Sequence, residues 1–201
     1  MPSIYDLKSR FQALLRPLVK SLAEAGVTAN HVTVAAVILS FLVGVLIATQ
    51  PEARWPLLLM PLALFLRMAL NAIDGMLARE HAMKSSLGAI LNEIGDVLSD
   101  TALYLPLGLV PGVNAVWIIA VIILAIVSEM TGVIAVRIGA QRRYDGPMGK
   151  SDRAFVFGLL CFLLGIGVQL DYWVDALLGI TVFLLIVTIF NRARRALEEV
   201  A

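Results

Sequence analysis

The chain has 201 residues, 60% of them hydrophobic and 15% charged, a balance well to the apolar side of soluble proteins. This is the composition of a membrane protein. Sixteen Lys and Arg against 15 Asp and Glu leave a net charge of +1, which excludes the basic field of a nucleic-acid binder, and the single cysteine, Cys161, excludes internal disulfides and cysteine-based metal clusters.

Residues 4–24 mix charges (Asp6, Lys8, Arg10, Arg16, Lys20, Glu24) with apolar residues at helical spacing (Ile4, Leu7, Phe11, Leu14, Leu18, Leu22). This pattern predicts an amphipathic helix lying on the membrane surface. It has neither the uninterrupted apolar core nor the small-residue cleavage site of a secretory signal, so the segment is expected to be retained. Residues 1–25 are therefore read as a juxtamembrane helix and 26–201 as one membrane domain.

Six apolar segments follow, at 30–49, 56–78, 86–107, 113–137, 151–170 and 173–191, giving an all-α, polytopic protein with six expected transmembrane helices. Basic residues alternate by connection. Lys8, Arg10, Arg16 and Lys20 precede the first span, Arg79 and Lys84 join the second to the third, Arg142, Arg143, Lys150 and Arg153 join the fourth to the fifth, and Arg192, Arg194 and Arg195 follow the sixth; the opposite connections hold only Arg54. The positive-inside rule then places both termini and these basic connections in the cytoplasm, with a bacterial inner membrane as the expected location.

Charged groups inside spans are costly and mark cavities or partners. The second span carries Arg67, Asn71 and Asp74, and the third carries Gly88, Asn92, Glu93, Asp96 and Asp100. Asn71 and Asp74 are three residues apart, while Asn92, Asp96 and Asp100 follow in steps of four, so each set forms a stripe on its helix. The short connection makes the two helices antiparallel. At 1.5 Å per residue from the cytoplasmic ends, Asp74 and Asn92 lie roughly 7 and 9 Å in, Asn71 and Asp96 roughly 12 and 15 Å, and Arg67 and Asp100 roughly 18 and 21 Å. Oxygen-bearing side chains at matching depth suit a hard cation, Mg²⁺ or Mn²⁺, which in turn suits phosphate. Arg67 and Asp100 are expected to form a buried structural ion pair beneath them.

From Asp74 the chain reads D-G-M-L-A-R, eight residues, then G-A-I-L-N-E-I-G-D, ending at Asp96. This resembles the CDP-alcohol phosphotransferase (phosphatidyltransferase) family, whose signature is D-x-x-D-G-x-x-A-R-x8-G-x-x-x-D-x-x-x-D. Asp74, Gly75, Ala78, Arg79, Gly88 and Asp96 match in register, while Asn71 and Asn92 replace the first and third aspartates. The approach G-V-T-A-N-H-V-T (Gly26 to Thr33) is also similar to the family's.

The resemblance implies that Asp74 is a metal ligand, that Asp96 is both metal ligand and catalytic base, and that Asn71 and Asn92 occupy ligand positions. It assigns Asp74, Gly75, Ala78, Arg79 and Gly88 to the CDP-linked donor, with the glycines admitting the nucleotide to the backbone and Arg79 pairing with phosphate. Two divalent ions would bring +4 against the −2 of these four positions. Three outcomes stay open: Glu93 completes the ligand set, one ion binds in place of two, or the site binds without turnover. The resemblance further implies a phosphoacceptor or anionic-headgroup role for Arg142, Arg143, Lys150 and Arg153, a role that competes with the positive-inside pattern as the reason for their presence.

The reading is a membrane transferase of phospholipid biosynthesis. It moves a phosphatidyl or related phosphoalcohol group from a CDP-linked donor such as CDP-diacylglycerol to an alcohol acceptor and releases CMP. Two other readings compete: a CDP-lipid-binding regulatory homologue, motivated by Asn71 and Asn92, and a small cation transporter, which the lack of acids continuing across the last two spans disfavours. Glu129 either lines the acceptor pocket or satisfies a neighbouring helix. His31 and His81 are too isolated to form a metal site, and Gly158, Gly165 and Gly179 suggest close packing, with a homodimer as one use.

Overall fold

The computed structural model describes residues 4–169 and 171–201, and side chains from residue 10 onward. Leu170, the expected end of the fifth span, and the side chains of Ile4, Asp6, Leu7 and Lys8 lie outside the described residues. Among the described residues seven α-helices and one 3-10 helix run in order: α1 (Ile4–Glu24), α2 (Ala29–Thr49), α3 (Trp55–Glu80), α4 (Ser86–Tyr104), the 3-10 turn Leu105–Leu109, α5 (Ala115–Arg137), α6 (Lys150–Gly165) and α7 (Tyr172–Val200).

Local chemistry sets most helix starts. Thr28 caps α2, its hydroxyl accepting from the His31 amide while the His31 ring accepts from the Thr28 amide, which gives His31 a structural use. Ser85, Asn114 and Asp171 cap α4, α5 and α7 in the same way, each accepting a first-turn amide. Pro106 sits where α4 gives way to the 3-10 turn, consistent with its missing amide donor.

Among the described residues four helices, α2, α3, α5 and α7, are long and apolar enough to cross a membrane; the chain is an integral membrane protein. The other two expected spans differ for distinct reasons. Within its 19 residues α4 carries Glu93, Asp96 and Asp100, whereas α6 has only 16 residues, because the chain turns at Gly167 with φ +95° although the apolar run continues.

Helix α2 packs on both α3 and α4, α3 on α6, α5 on α7, and α1 on α3. Gly44 lets α2 lie directly on the Ala102 carbonyl of α4, and Gly95 leaves room for Val37, the small-residue contacts expected where no hydrophobic force drives helices together. Gly158 and Gly165 face Leu64 and Leu58 of α3, and Gly179 faces Trp117 of α5. Their packing is thus internal to the chain and gives no support to a homodimer. Val19 of α1 is buried with Ile73, Met76 and Leu77 of α3, while Leu14 and Leu18 are exposed.

Candidate active site

With α2 wedged against both, α3 and α4 meet chiefly through long polar side chains. Arg67 Nη1 donates to Asp100 Oδ1 at 2.5 Å and Arg67 Nη2 to the Asp96 carbonyl at 3.0 Å. One turn nearer the connection, Asn71 Nδ2 donates to Asp96 Oδ1 at 3.4 Å. Nearer still, Asp74 turns toward α2, where its Oδ2 accepts from Thr33 Oγ1 at 2.8 Å. Thr33 entered the sequence reading only as part of a similar approach segment; its helix phase relative to Asp74 is a tertiary fact.

The glycines at this end have close polar neighbours. A Cβ at Gly75 would stand 2.9 Å from the Arg79 guanidinium, and one at Gly88 would stand 2.8 Å from Asn30 Oδ1 of α2. Both glycines therefore make room for polar side chains as well as for any ligand. Ala78 packs against the apolar cluster that joins α1 to α3, whereas Arg79 is exposed.

A strap, residues 138–149, closes the other side. Its two turns use Gly139 (φ +97°) and Gly146 (φ +124°), conformations that favour glycine. Gly132 of α5 lets the Arg142 guanidinium and the Arg143 carbonyl approach the helix, and the Met148 amide donates to Thr188 Oγ1 of α7 at 2.9 Å. The strap brings Lys150 over α4, where its ammonium pairs with Asp96 Oδ1.

Beneath the strap lies an ionic network that sequence reasoning reached only in part. Glu129 of α5 receives Arg142 at 3.0 Å, Arg153 at 3.1 Å and Arg192 at 3.3 Å. Arg153 also donates to Asp100 at 2.8 and 3.0 Å, and Arg192 Nη1 donates to the Ser128 carbonyl at 2.6 Å. Asp100 is thus shared between Arg67 and Arg153, and five helices are tied through three buried arginines. Such charges persist in an apolar surrounding only when paired. Glu129 was visible as an intramembrane acid; its partners on α6 and α7 were not, since pairs 24 and 64 residues apart, like Arg153–Glu129 and Arg192–Ser128, leave no local pattern.

Several expected positions lie differently. Glu93, a candidate metal ligand, is held by Arg142 through two hydrogen bonds of 2.9 and 2.8 Å, so in this geometry its carboxylate serves an ion pair. Arg153, a candidate for an acceptor phosphate, is only 1% exposed and is consumed by Asp100 and Glu129. Arg143 pairs with Asp145 and Glu199.

An open cleft of about 300 Å³ remains, lined by Asn92, Asp96, Arg142, Tyr144, Lys150 and Ser151 among others. Among the described residues no group of three or more His, Cys, Asp and Glu side chains is placed to hold a metal. A metal between α3 and α4 would have as donors Asp74 and Asp96, the amide oxygens of Asn71 and Asn92, and ligand oxygens; of these side chains Asn92 and Asp96 line the cleft. That donor set fits Mg²⁺ or Mn²⁺, which Mg²⁺ in particular commonly binds through one or two carboxylates plus substrate phosphate.

Comparison with known proteins gives the family and the fold. Residues 26–190 match the family described as CDP-alcohol phosphatidyltransferase. The chain is 48% identical over 197 residues to the inner membrane protein YnbA of Escherichia coli, covering 97% of this chain and 96% of that protein. The fold is similar to Mycobacterium tuberculosis phosphatidylinositol phosphate synthase in complex with manganese and citrate, with a TM-score of 0.75, 15% identity, and 90% and 88% of the two chains covered. It is also similar to that synthase with CDP-DAG bound, with a TM-score of 0.69, 17% identity and 92% of each chain covered. The chain belongs to the CDP-alcohol phosphatidyltransferase family.

Proposed function

We propose that this protein transfers a phosphatidyl or related phosphoalcohol group from a CDP-linked donor, such as CDP-diacylglycerol, to an alcohol, releasing CMP. The observation that carries the proposal is Asp96, at the last signature position, opening on the cleft with Asn71 and Lys150 against its carboxylate. In the reaction the acceptor oxygen attacks the β-phosphorus, the bond to the CMP oxygen breaks, and the hydroxyl proton passes to Asp96. A divalent ion held by Asp74 and Asp96, with Asn71 and Asn92 offering carbonyl oxygens, would supply charge stabilisation at the diphosphate.

The chain's own groups orient these parts. Arg67 holds the Asp96 backbone, Thr33 holds Asp74, and exposed Arg79 is available to donor phosphate at the membrane surface. The proposal includes six crossing segments, with α4 and α6 crossing as the polar pair, α1 on the surface, and the site facing the cytoplasm. The Leu14 and Leu18 side chains exposed on α1 support the surface placement, and the basic connections support the orientation.

A second reading, CDP-lipid binding without turnover, is favoured by Asn71 and Asn92, which withhold two negative charges from the ion. One experiment separates them: CMP release from CDP-diacylglycerol by the purified protein in lipid, with Mg²⁺ or Mn²⁺ and a pool of alcohols. Metal-dependent release that disappears in Asp96→Asn supports the transferase. Metal-dependent binding of CDP-diacylglycerol with no release from any alcohol supports the second reading.

A further inference from the structure

The charges around the cleft bear on which alcohol it takes, and this step rests on the transferase reading. Its ionised lining comprises four carboxylates (Glu93, Asp96, Glu129 and Asp152) and three cations (Arg142, Lys150 and Arg192). Every cation already has a partner. Arg142 is held by Glu93 and Glu129, Arg192 by the Ser128 carbonyl and Glu129, and Lys150 by Asp96. Behind and beside the cleft, Arg153 and Arg143 are likewise consumed by Asp100, Glu129, Asp145 and Glu199.

If Asp96 is withdrawn from this count to serve a metal, whose charge the donor diphosphate meets, Lys150 loses its partner but three carboxylates still face three cations. A phosphomonoester brings about −1.5 to −2 at neutral pH. It would face a cleft of no net positive charge, and recruiting Arg142 would strand Glu93, partly buried, without its counter-ion. Beyond Lys150, what the lining offers is uncharged: the Asn92 amide and the Tyr144 and Ser151 hydroxyls, groups that bond alcohol hydroxyls in either direction.

We infer that the acceptor is an alcohol without a phosphate group, selected because the cleft's basic side chains are neutralised from within the chain. Glu93 is the specificity-determining residue in this arrangement, since it occupies the open fork of Arg142.

The test uses the purified protein in lipid vesicles and compares glycerol with glycerol 3-phosphate. In CMP release from CDP-diacylglycerol, the wild type is expected to favour glycerol by at least about tenfold, the equivalent of about 1.4 kcal/mol, and Glu93→Gln to narrow or invert that ratio. Faster release with glycerol 3-phosphate by the wild type would overturn the inference.

A second arm needs no turnover: the midpoint of heat denaturation, with metal chelated, as glycerol 3-phosphate is raised. The wild type is expected to show no saturable rise that depends on the cleft. A saturable rise that disappears in Lys150→Gln would overturn the inference, whereas a rise unaffected by that change belongs to another anion site and agrees with it. If neither alcohol gives CMP, this arm still decides the charge selectivity of the cleft, while the pool of alcohols decides the transferase reading.

Discussion

Thr33 Oγ1 donates a 2.8 Å hydrogen bond to Asp74 Oδ2 across the α2–α3 interface. Asp74 is buried, and Thr33 is its only hydrogen-bonding side chain among the described residues. A donor behind a ligand fixes which oxygen lone pairs face the ion and how tightly the carboxylate is held. Thr33→Val preserves the shape of the side chain and removes that donor. The half-saturating Mg²⁺ concentration for CMP release is expected to rise by about 10- to 100-fold, the usual cost of losing such a partner. Thr33→Ser, which restores the hydroxyl, is expected to recover most of it.

Asp100 poses a stability question. It is 6% exposed and lies between Arg67 and Arg153, which are 2% and 1% exposed. Asp100→Asn keeps the shape and removes the charge both arginines share. Breaking a buried pair typically costs about 3–5 kcal/mol. The lower end is expected because Arg67 keeps Asp96 at 3.6 Å and Arg153 keeps Glu129 at 3.1 Å. Reversible unfolding in mixed detergent micelles measures the loss, and an unchanged midpoint would remove the network from the stability argument.

The contrast between these two residues and Glu129 shows what a sequence of this kind can express. The pairing of Arg67 with Asp100 and the level match of Asn71 with Asp96 were legible because helical spacing and a short connection convert sequence distance into depth. The same arithmetic is silent about rotation between non-consecutive helices. Neither the convergence of Arg142, Arg153 and Arg192 on Glu129 nor the capture of Glu93 by Arg142 has a local pattern. The charge of the 138–149 strap was legible too, but its path depends on Gly132 in α5 and Thr188 in α7. Basic residues that read as an open anion site are consequently engaged by carboxylates from other elements. The early end of α6 was hidden for a different reason, since an apolar run does not announce the turn at Gly167.

At the surface, Arg16 of α1 donates to both oxygens of Glu80 at the end of α3, at 3.1 and 3.0 Å. The Arg16 hydrogen bonds hold the Glu80 carboxyl below its ordinary value. A group with a lowered folded pKa contributes above its unfolded pKa and loses that contribution as pH falls through the folded one. The link between α1 and α3 is therefore expected to be intact at neutral pH and to weaken only in acid, below the ordinary glutamate range. Raising salt at neutral pH should weaken it as well, because both partners are exposed. Spin labels on Ala13 and Lys84 read the separation of the two segments. A separation unaffected by acid, salt and Arg16→Gln would mean that the apolar contacts around Val19 hold α1 alone.

Gly132 offers the most direct test of the strap. A Cβ built there falls onto the Arg142 guanidinium and stands 2.6 Å from the Arg143 carbonyl, so Gly132→Ala cannot be accommodated without moving the strap backbone. Helix propensity alone would favour alanine at this position by about 1 kcal/mol. Overpacking costs typically about 1–3 kcal/mol, and it acts here on a segment whose displacement also withdraws Arg142 from Glu93 and Glu129. The variant is expected to unfold at lower temperature than wild type despite its better helix former, and to lose CMP release more steeply than stability. Disruption confined to the strap predicts that Gly44→Ala, which strikes the α2–α4 contact at Ala102 instead, lowers stability without changing the preference between glycerol and glycerol 3-phosphate, whereas Gly132→Ala changes both.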